Sequence, residues 1–244
     1  MDIIEEQRRF RDSTPSRLGR GLERLTHPFG AAIASVVPKG LVETVLKGLD
    51  RAAGAPRLVQ FDHDAADLEA ARQAARKVSR TARSVSATTG AAAGLGGALS
   101  MSADIPATIA IALRAIRDTG RAYGYTGDGP AEKLFRLQIL ELAAVDEPEA
   151  RRDRIAALEA ALGPAGELVH ADHEHIAPIV DQAVERISRA IAFTSFRSRA
   201  GMVVPLVGSI VGGLVNSSFQ EDVGKAARFA FQARRLKGDA SAAA

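Results

Sequence analysis

ATTGAAAGLGGALSMSADIPATIAIALRAI, residues 87–116, decides the architecture. Glycine, alanine and small hydroxyls fill it, and Asp104 is the one charge ahead of Arg114. Such a run could cradle a phosphate, enter a bilayer or let helices pack closely. The phosphate reading fails on spacing. Gly94-Leu95-Gly96-Gly97 lacks the third glycine of a dinucleotide fingerprint, because position 99 is Leu99. A basic helical pattern precedes it where that fingerprint needs a strand. No Gly-Lys-Ser/Thr occurs, so no P-loop is present.

The bilayer reading has the length, since a spanning helix takes roughly 20 apolar residues. It lacks the side chains. From Ser84 to Ala103 the large apolar residues are Val85, Leu95, Leu99 and Met101. A second uncharged run, residues 200–220, is richer in Val, Leu and Ile but holds Pro205 and Asn216. Arg197 and Arg199 precede it, and Lys225 and Arg228 follow. Basic residues on both sides fit a simple span poorly. Close packing fits best. Gly90-x-x-x-Gly94 and Gly208-x-x-x-Gly212 put glycines one turn apart, so that two backbones can approach. The first run is expected as a helix or hairpin buried against 200–220. A shallow interfacial hairpin and a true span are the alternatives.

Composition points the same way. Hydrophobic residues make up 46% and charged residues 25%, which is the globular range. Aromatics are 5% with no Trp, so the core must be aliphatic. The expected fold is all-α, a multi-helix bundle with two glycine-rich, uncharged close-packing segments. The absence of Cys removes disulfides, thiolate metal sites and a Cys nucleophile. The N-terminus is charged from Asp2 and shows no signal-peptide core, which reads as cytoplasmic.

Along the chain, residues 1–25 read as a short charged helix broken at Pro15, and 27–49 as an apolar helix interrupted at Pro38. Residues 51–64 read as a linker. Asp62 or Asp64 can N-cap a helix that runs to about Arg83, with Arg72, Arg76, Arg80 and Arg83 on one face. Asp104-Ile105-Pro106 reads as the next helix start. That helix carries the stripe Ile109, Leu113, Ile116 and Tyr123 and ends at Gly124. Arg114, Arg117, Asp118 and Arg121 lie on another face, where Arg114 can pair with Asp118. Asp128-Gly129-Pro130 opens a helix with Leu134, Leu137 and Leu140 at spacing three. Residues 149–164 form a polar helix, 165–196 a further helical stretch, and Val223–Lys237 a basic helix. Three parts are expected: a helical extension over 1–60, a helical domain over 61–237 and a disordered tail over 238–244.

Charge suggests one surface. Between Glu185 and Lys237 nine basic residues face three acidic ones. Arg76, Arg80 and Arg83 precede the first uncharged run; Arg197, Arg199, Lys225, Arg228, Arg234 and Arg235 surround the second. These nine are candidates for an anionic membrane surface, with a solvated face as the plain alternative. Asp104 reads as an N-cap, or as the partner of a buried cation or of Asn216. His170, His173 and Glu174 share a helix face at i, i+3 and i+4, which could supply ligands to zinc. The order matches neither His-Glu-x-x-His nor its inverse, and a solvated polar face is the favoured reading.

The chain resembles the EcsC family of bacterial proteins. The resemblance rests on Thr89-Gly90 to Gly97, Ala103-Asp104-Ile105-Pro106, Arg114, Tyr123-Gly124-Tyr125 and Glu132. A second block follows: Pro205-Leu206-Val207-Gly208, Val211-Gly212, Asn216, and Val223-Gly224 with Ala227. It covers about 76–145 and 186–236. Thr126 stands where relatives usually have Asp, and Lys133 where Arg is frequent. The family is named for a gene neighbour of an ABC transporter. The resemblance therefore implies a cytoplasmic protein working at or near the membrane, with a transporter as a candidate partner. It implies no reaction, and it marks Asp104, Arg114 and Asn216 as candidate residues without roles; no cofactor and no nucleic acid are expected. A membrane-peripheral accessory protein, a metal-dependent hydrolase and a cytosolic interaction module are the three functions to separate.

Overall fold

The computed structural model describes residues 2–13, 52, 54–95, 98–145, 148–169 and 205–242, with 89–106 and 205–216 described by their backbone. Among the described residues there are six helices and no strand. In chain order they are α1 (Ile3–Asp12), α2 (Leu68–Leu95), α3 (Ala98–Ala122), α4 (Pro130–Ala144), α5 (Pro148–Ala160) and α6 (Pro205–Ala242). The all-α expectation holds. The expected helix at 27–49 and the stretch 170–199 lie outside the described residues.

α6 is the axis of the bundle and packs along α2, with α3, α4, α1 and α5 also against it. α2 runs antiparallel to α6: Arg83 pairs with Glu221 at 3.1 Å, and Ser79 lies against Gly224. A Cβ at Gly224 would strike the Ser79 side chain, so this glycine sets how closely α2 and α6 approach. α3 runs parallel to α6, with Gln220 donating to the Thr108 carbonyl at 3.0 Å and Gly120 beside the Phe231 ring.

The core is what the periodicity predicts. Ile109, Leu113, Ile116 and Tyr123 of α3 are buried, as are Leu134, Leu137 and Leu140 of α4. They meet Phe229 and Phe231 of α6. Each fully buried Leu or Ile contributes about 1.5–3 kcal/mol, which is how so few aromatics suffice. Gly124 ends α3 in a left-handed conformation, φ +89°. Its N–H donates to Arg121 O at 3.0 Å and that of Tyr125 to Gly120 O at 2.9 Å, the two bonds of a Schellman close.

Several local expectations are corrected. Asp67, not Asp62 or Asp64, caps α2, its carboxylate accepting from the N–H groups of Glu69 and Ala70. α2 continues past Arg83 to Leu95. α3 begins at Ala98, so Asp104-Ile105-Pro106 lies inside the helix and the N-cap reading of Asp104 is wrong. Asp128-Gly129-Pro130 does open α4, with Gly129 as its N-cap and Pro130 in its first turn. The run 200–220 and the basic helix 223–237 are one helix from Pro205 onward, and it reaches Ala242 through most of the expected disordered tail.

The N-terminal part is no mere extension over residues 3–12. Ten residues are too few for an isolated helix to hold in water. Phe10 of α1 stacks on Phe229 with centroids 4.5 Å apart. Gln7 donates to Phe229 O and to Gln232 Oε1, both at 3.0 Å, and Gln232 donates to the Tyr123 hydroxyl at 3.0 Å. α1 thus shares the core of the 61–237 region.

Candidate functional site

The helix directions assemble an uncharged end. The C-terminal part of α2, the N-terminal part of α3 and the N-terminal part of α6 lie beyond the Arg83–Glu221 pair. Asp104 is the one charge in their sequence there. From Arg83 to Leu95 the helical rise is about 18 Å. α6 packs on both α2 and α3, while the surroundings of Gly90, Gly94, Gly208 and Gly212 lie outside the described residues. Val85, 38% exposed, is the first large apolar residue past Arg83. Behind this end sits a charged belt. Lys77 and Arg80 are exposed, while Lys225 bonds Glu221 at 2.9 Å.

A second feature lies just behind the belt. Glu6 of α1 receives Arg72 at 2.8 Å, Arg76 at 3.3 Å and Arg228 at 3.3 Å. Arg72 also pairs with Glu69, and Arg228 donates to Ser79 Oγ at 2.9 Å. Burial pushes the Glu6 carboxyl up, but Arg228, Arg76 and Arg72 together overcome it and hold the pKa below the ordinary carboxylate range. Glu6 therefore contributes stability above that range and loses it as pH falls through the depressed folded value. Glu6→Gln is expected to weaken the fold most at neutral pH, and its difference from the parent should shrink below about pH 4. Urea unfolding at pH 7, 5 and 3.5 measures this. A difference that stays constant with pH would assign Glu6 to packing alone.

Beside Glu6 a cleft of about 250 Å³ opens between α1, the end of α4, α5 and α6. Phe10 and Phe229 form an apolar wall, and Arg9, Arg151, Lys225, Arg228, Glu6 and Asp222 supply its charge. Sequence reading missed Glu6 and Arg151. A signal existed for Arg151: it stands at i, i+4 and i+7 with Ile155 and Leu158, the buried stripe of α5.

The residues singled out from sequence scatter. Asp104 and Asn216 have helical backbones in the uncharged end, and their side chains lie outside the described residues. Arg114 does not pair with Asp118; its Nε donates to Pro56 O at 2.7 Å. Asp118 is taken by Arg117 at 2.8 Å and by the Leu58 N–H at 2.6 Å. Arg76 and Arg228 serve Glu6, and Arg83 serves Glu221. Arg234 is buried, donating to Gly166 O at 2.8 Å and Glu132 at 2.7 Å. Arg235 pairs with Asp239 one turn on. Arg80 is the exposed one of the three that precede the first run without a carboxylate drawn to it by a described ion pair. Arg197 and Arg199, and the metal candidates His170, His173 and Glu174, lie outside the described residues. Among the described residues no group of three or more His, Asp or Glu is placed to hold a metal ion. Among them, too, no helix is long and apolar enough to cross a membrane.

The model of the EcsC protein family matches residues 2–236, nearly the whole chain. The chain belongs to the EcsC family. The match begins at residue 2, so it includes α1, consistent with α1 lying in the EcsC core. Uncharacterized protein YdbA of Bacillus subtilis (strain 168) is similar, 24% identical over 147 residues. That alignment takes in 58% of this chain and 49% of YdbA, so this EcsC chain spans about half of that relative's length. No solved structure matches it.

Proposed function

We propose that this EcsC protein is a non-enzymatic, membrane-peripheral accessory protein, whose uncharged helical end meets one leaflet of an anionic bilayer. The observation that supports it is the gathering, beyond the Arg83–Glu221 pair, of three helix ends whose one charge is Asp104. Their reach of about 18 Å is comparable to half of the roughly 30 Å hydrocarbon core. A carboxylate is costly in hydrocarbon, so Asp104 opposes deep entry and favours shallow, reversible contact. Lys77, Arg80 and Lys225 stand behind that end, and each cation near an anionic surface adds on the order of 1 kcal/mol, screened by salt. A transporter partner, and a place on the cytoplasmic face, are the extensions the family resemblance suggests. Arg228 and Arg234 are poor probes of this function, because they hold the fold.

The test is co-sedimentation of the full chain with vesicles of phosphatidylcholine alone or with phosphatidylserine, at low and high salt. Binding should need phosphatidylserine and weaken with salt. Lys77→Glu/Arg80→Glu and, separately, Val85→Asp should each reduce it at least several-fold. A chain that stays in the supernatant with every lipid at low salt would turn the reading to a cytosolic interaction module. Stoichiometric zinc in the purified protein, lost in His170→Ala/His173→Ala, would turn it to a metal-dependent hydrolase.

A further inference from the structure

The cleft between α1, α5 and α6 holds a guanidinium whose bonding is incomplete. Arg151 is 8% exposed, and its Nε is buried without a hydrogen-bond partner. Its Nη2 reaches Phe10 O at 3.4 Å and Ser13 Oγ at 3.5 Å, both at the long limit of hydrogen bonding. The ring of Phe10 lies 4.3 Å from its guanidinium carbon and covers one face. Among the described residues no carboxylate lies within ion-pair distance of it, in contrast to Arg72, Arg136, Arg154, Arg228 and Arg234. A buried guanidinium left in this way is costly, and the costs fall when an anion completes it.

Arg151 lines the cleft, its Nη2 is held only by the two long bonds, and a guanidinium grips a carboxylate or phosphate through two parallel bonds. The neighbouring wall is cationic. Arg228 and Lys225 line the same cleft, and the charge of Glu6 is already shared among three arginines. At about 250 Å³ the cleft exceeds a bare oxyanion, and the stacked pair Phe10 and Phe229 offers the remainder an apolar surface. Burial also draws the Arg151 pKa down, partly offset by Asp222, as expected of a cation short of partners.

We propose that this cleft is an oxyanion site anchored on Arg151, which takes the phosphate group of a small organic phosphate or of a phospholipid headgroup. The two sources share one chemistry. Asp222 and Lys225, next in α6 to the belt residue Glu221, place the site just behind the uncharged end. The site does not depend on lipid contact, since a soluble phosphate can fill it.

The experiment titrates inorganic phosphate, and then glycerol phosphate, into the full chain by calorimetry at constant ionic strength. One saturable site is expected. Arg151→Gln should weaken it at least ten-fold, and Arg151→Lys less. Arg152→Gln, which removes an exposed charge from the same helix, should leave it unchanged. Circular dichroism and thermal unfolding check that each variant is folded. Absence of saturable binding in the parent, or equal binding in Arg151→Gln, overturns the proposal. Vesicles with and without phosphatidic acid distinguish the source. Vesicle binding that falls in Arg151→Gln and is competed by glycerol phosphate assigns a headgroup. Vesicle binding that Arg151→Gln leaves unchanged, beside lost phosphate binding, assigns a soluble phosphate. Phosphate binding with no vesicle binding of any kind would uphold the site and refute membrane association.

Discussion

Asp118→Ala is expected to destabilise the protein by about 3–5 kcal/mol, the usual cost of leaving one member of a buried ion pair uncompensated. Both side chains of the Arg117–Asp118 pair are fully buried, at 0% exposure. Arg117 grips one oxygen of Asp118 through Nε at 2.9 Å and Nη2 at 2.8 Å. The other oxygen accepts the Leu58 N–H at 2.6 Å. Arg117 also donates to the carbonyls of Ala52 and Ala55. The pair therefore fastens the backbone of Ala52, Ala55 and Leu58 to α3 and satisfies polar groups there. Asp118→Asn retains an acceptor for Leu58 and should cost less. Arg117→Met/Asp118→Asn should recover part of the loss of Asp118→Ala, because no unpaired charge is left behind. Denaturant unfolding with unchanged m measures each variant. A loss below about 1 kcal/mol in Asp118→Ala would mean that water reaches Arg117 once the carboxylate is gone.

Arg234→Gln should likewise lose about 3–5 kcal/mol, whereas Arg235→Gln one residue on should stay within about 0.5 kcal/mol. Arg234 bonds Gly166 O and Glu132, and its guanidinium carbon lies 3.9 Å from the centroid of the Tyr125 ring. Without it Glu132 keeps a largely buried carboxylate and no arginine. Arg235 makes an exposed i,i+4 pair with Asp239 at 3.0 Å, of a kind that contributes little. Thermal unfolding of the two variants side by side is the measurement. Equal effects would place Arg234 at the surface, with the role the sequence suggested for both.

These two arginines show where sequence reading stopped. Adjacent residues of one type, in one charged run, differ in burial because α6 turns Arg234 towards the Gly166 turn and Tyr125 and leaves Arg235 at the edge. Helical period was legible: the stripe Ile109, Leu113, Ile116 and Tyr123 and the stop at Gly124 depend on neighbours within a few residues. The start of α3 was not. Asp104 and Pro106 are strong local start signals, yet the helix begins at Ala98, because packing of α3 along α2 and α6 outweighs local preference. The uncharged end was half legible. Sequence determined that two long runs carry almost no charge, and close packing predicted that they meet. That their three helix ends point the same way follows only from the antiparallel course of α2 and the parallel course of α3 along α6. The cleft was legible least of all. Glu6, Arg151 and Arg228 are far apart in the chain, and a short helix such as α1 gains its place only by docking Phe10 on Phe229. Local chemistry determined the helices and the apolar face of each. Which charges are buried, and what they hold, was decided by contacts between distant parts of the chain, because desolvating a charge is tolerable only where the fold supplies its partner.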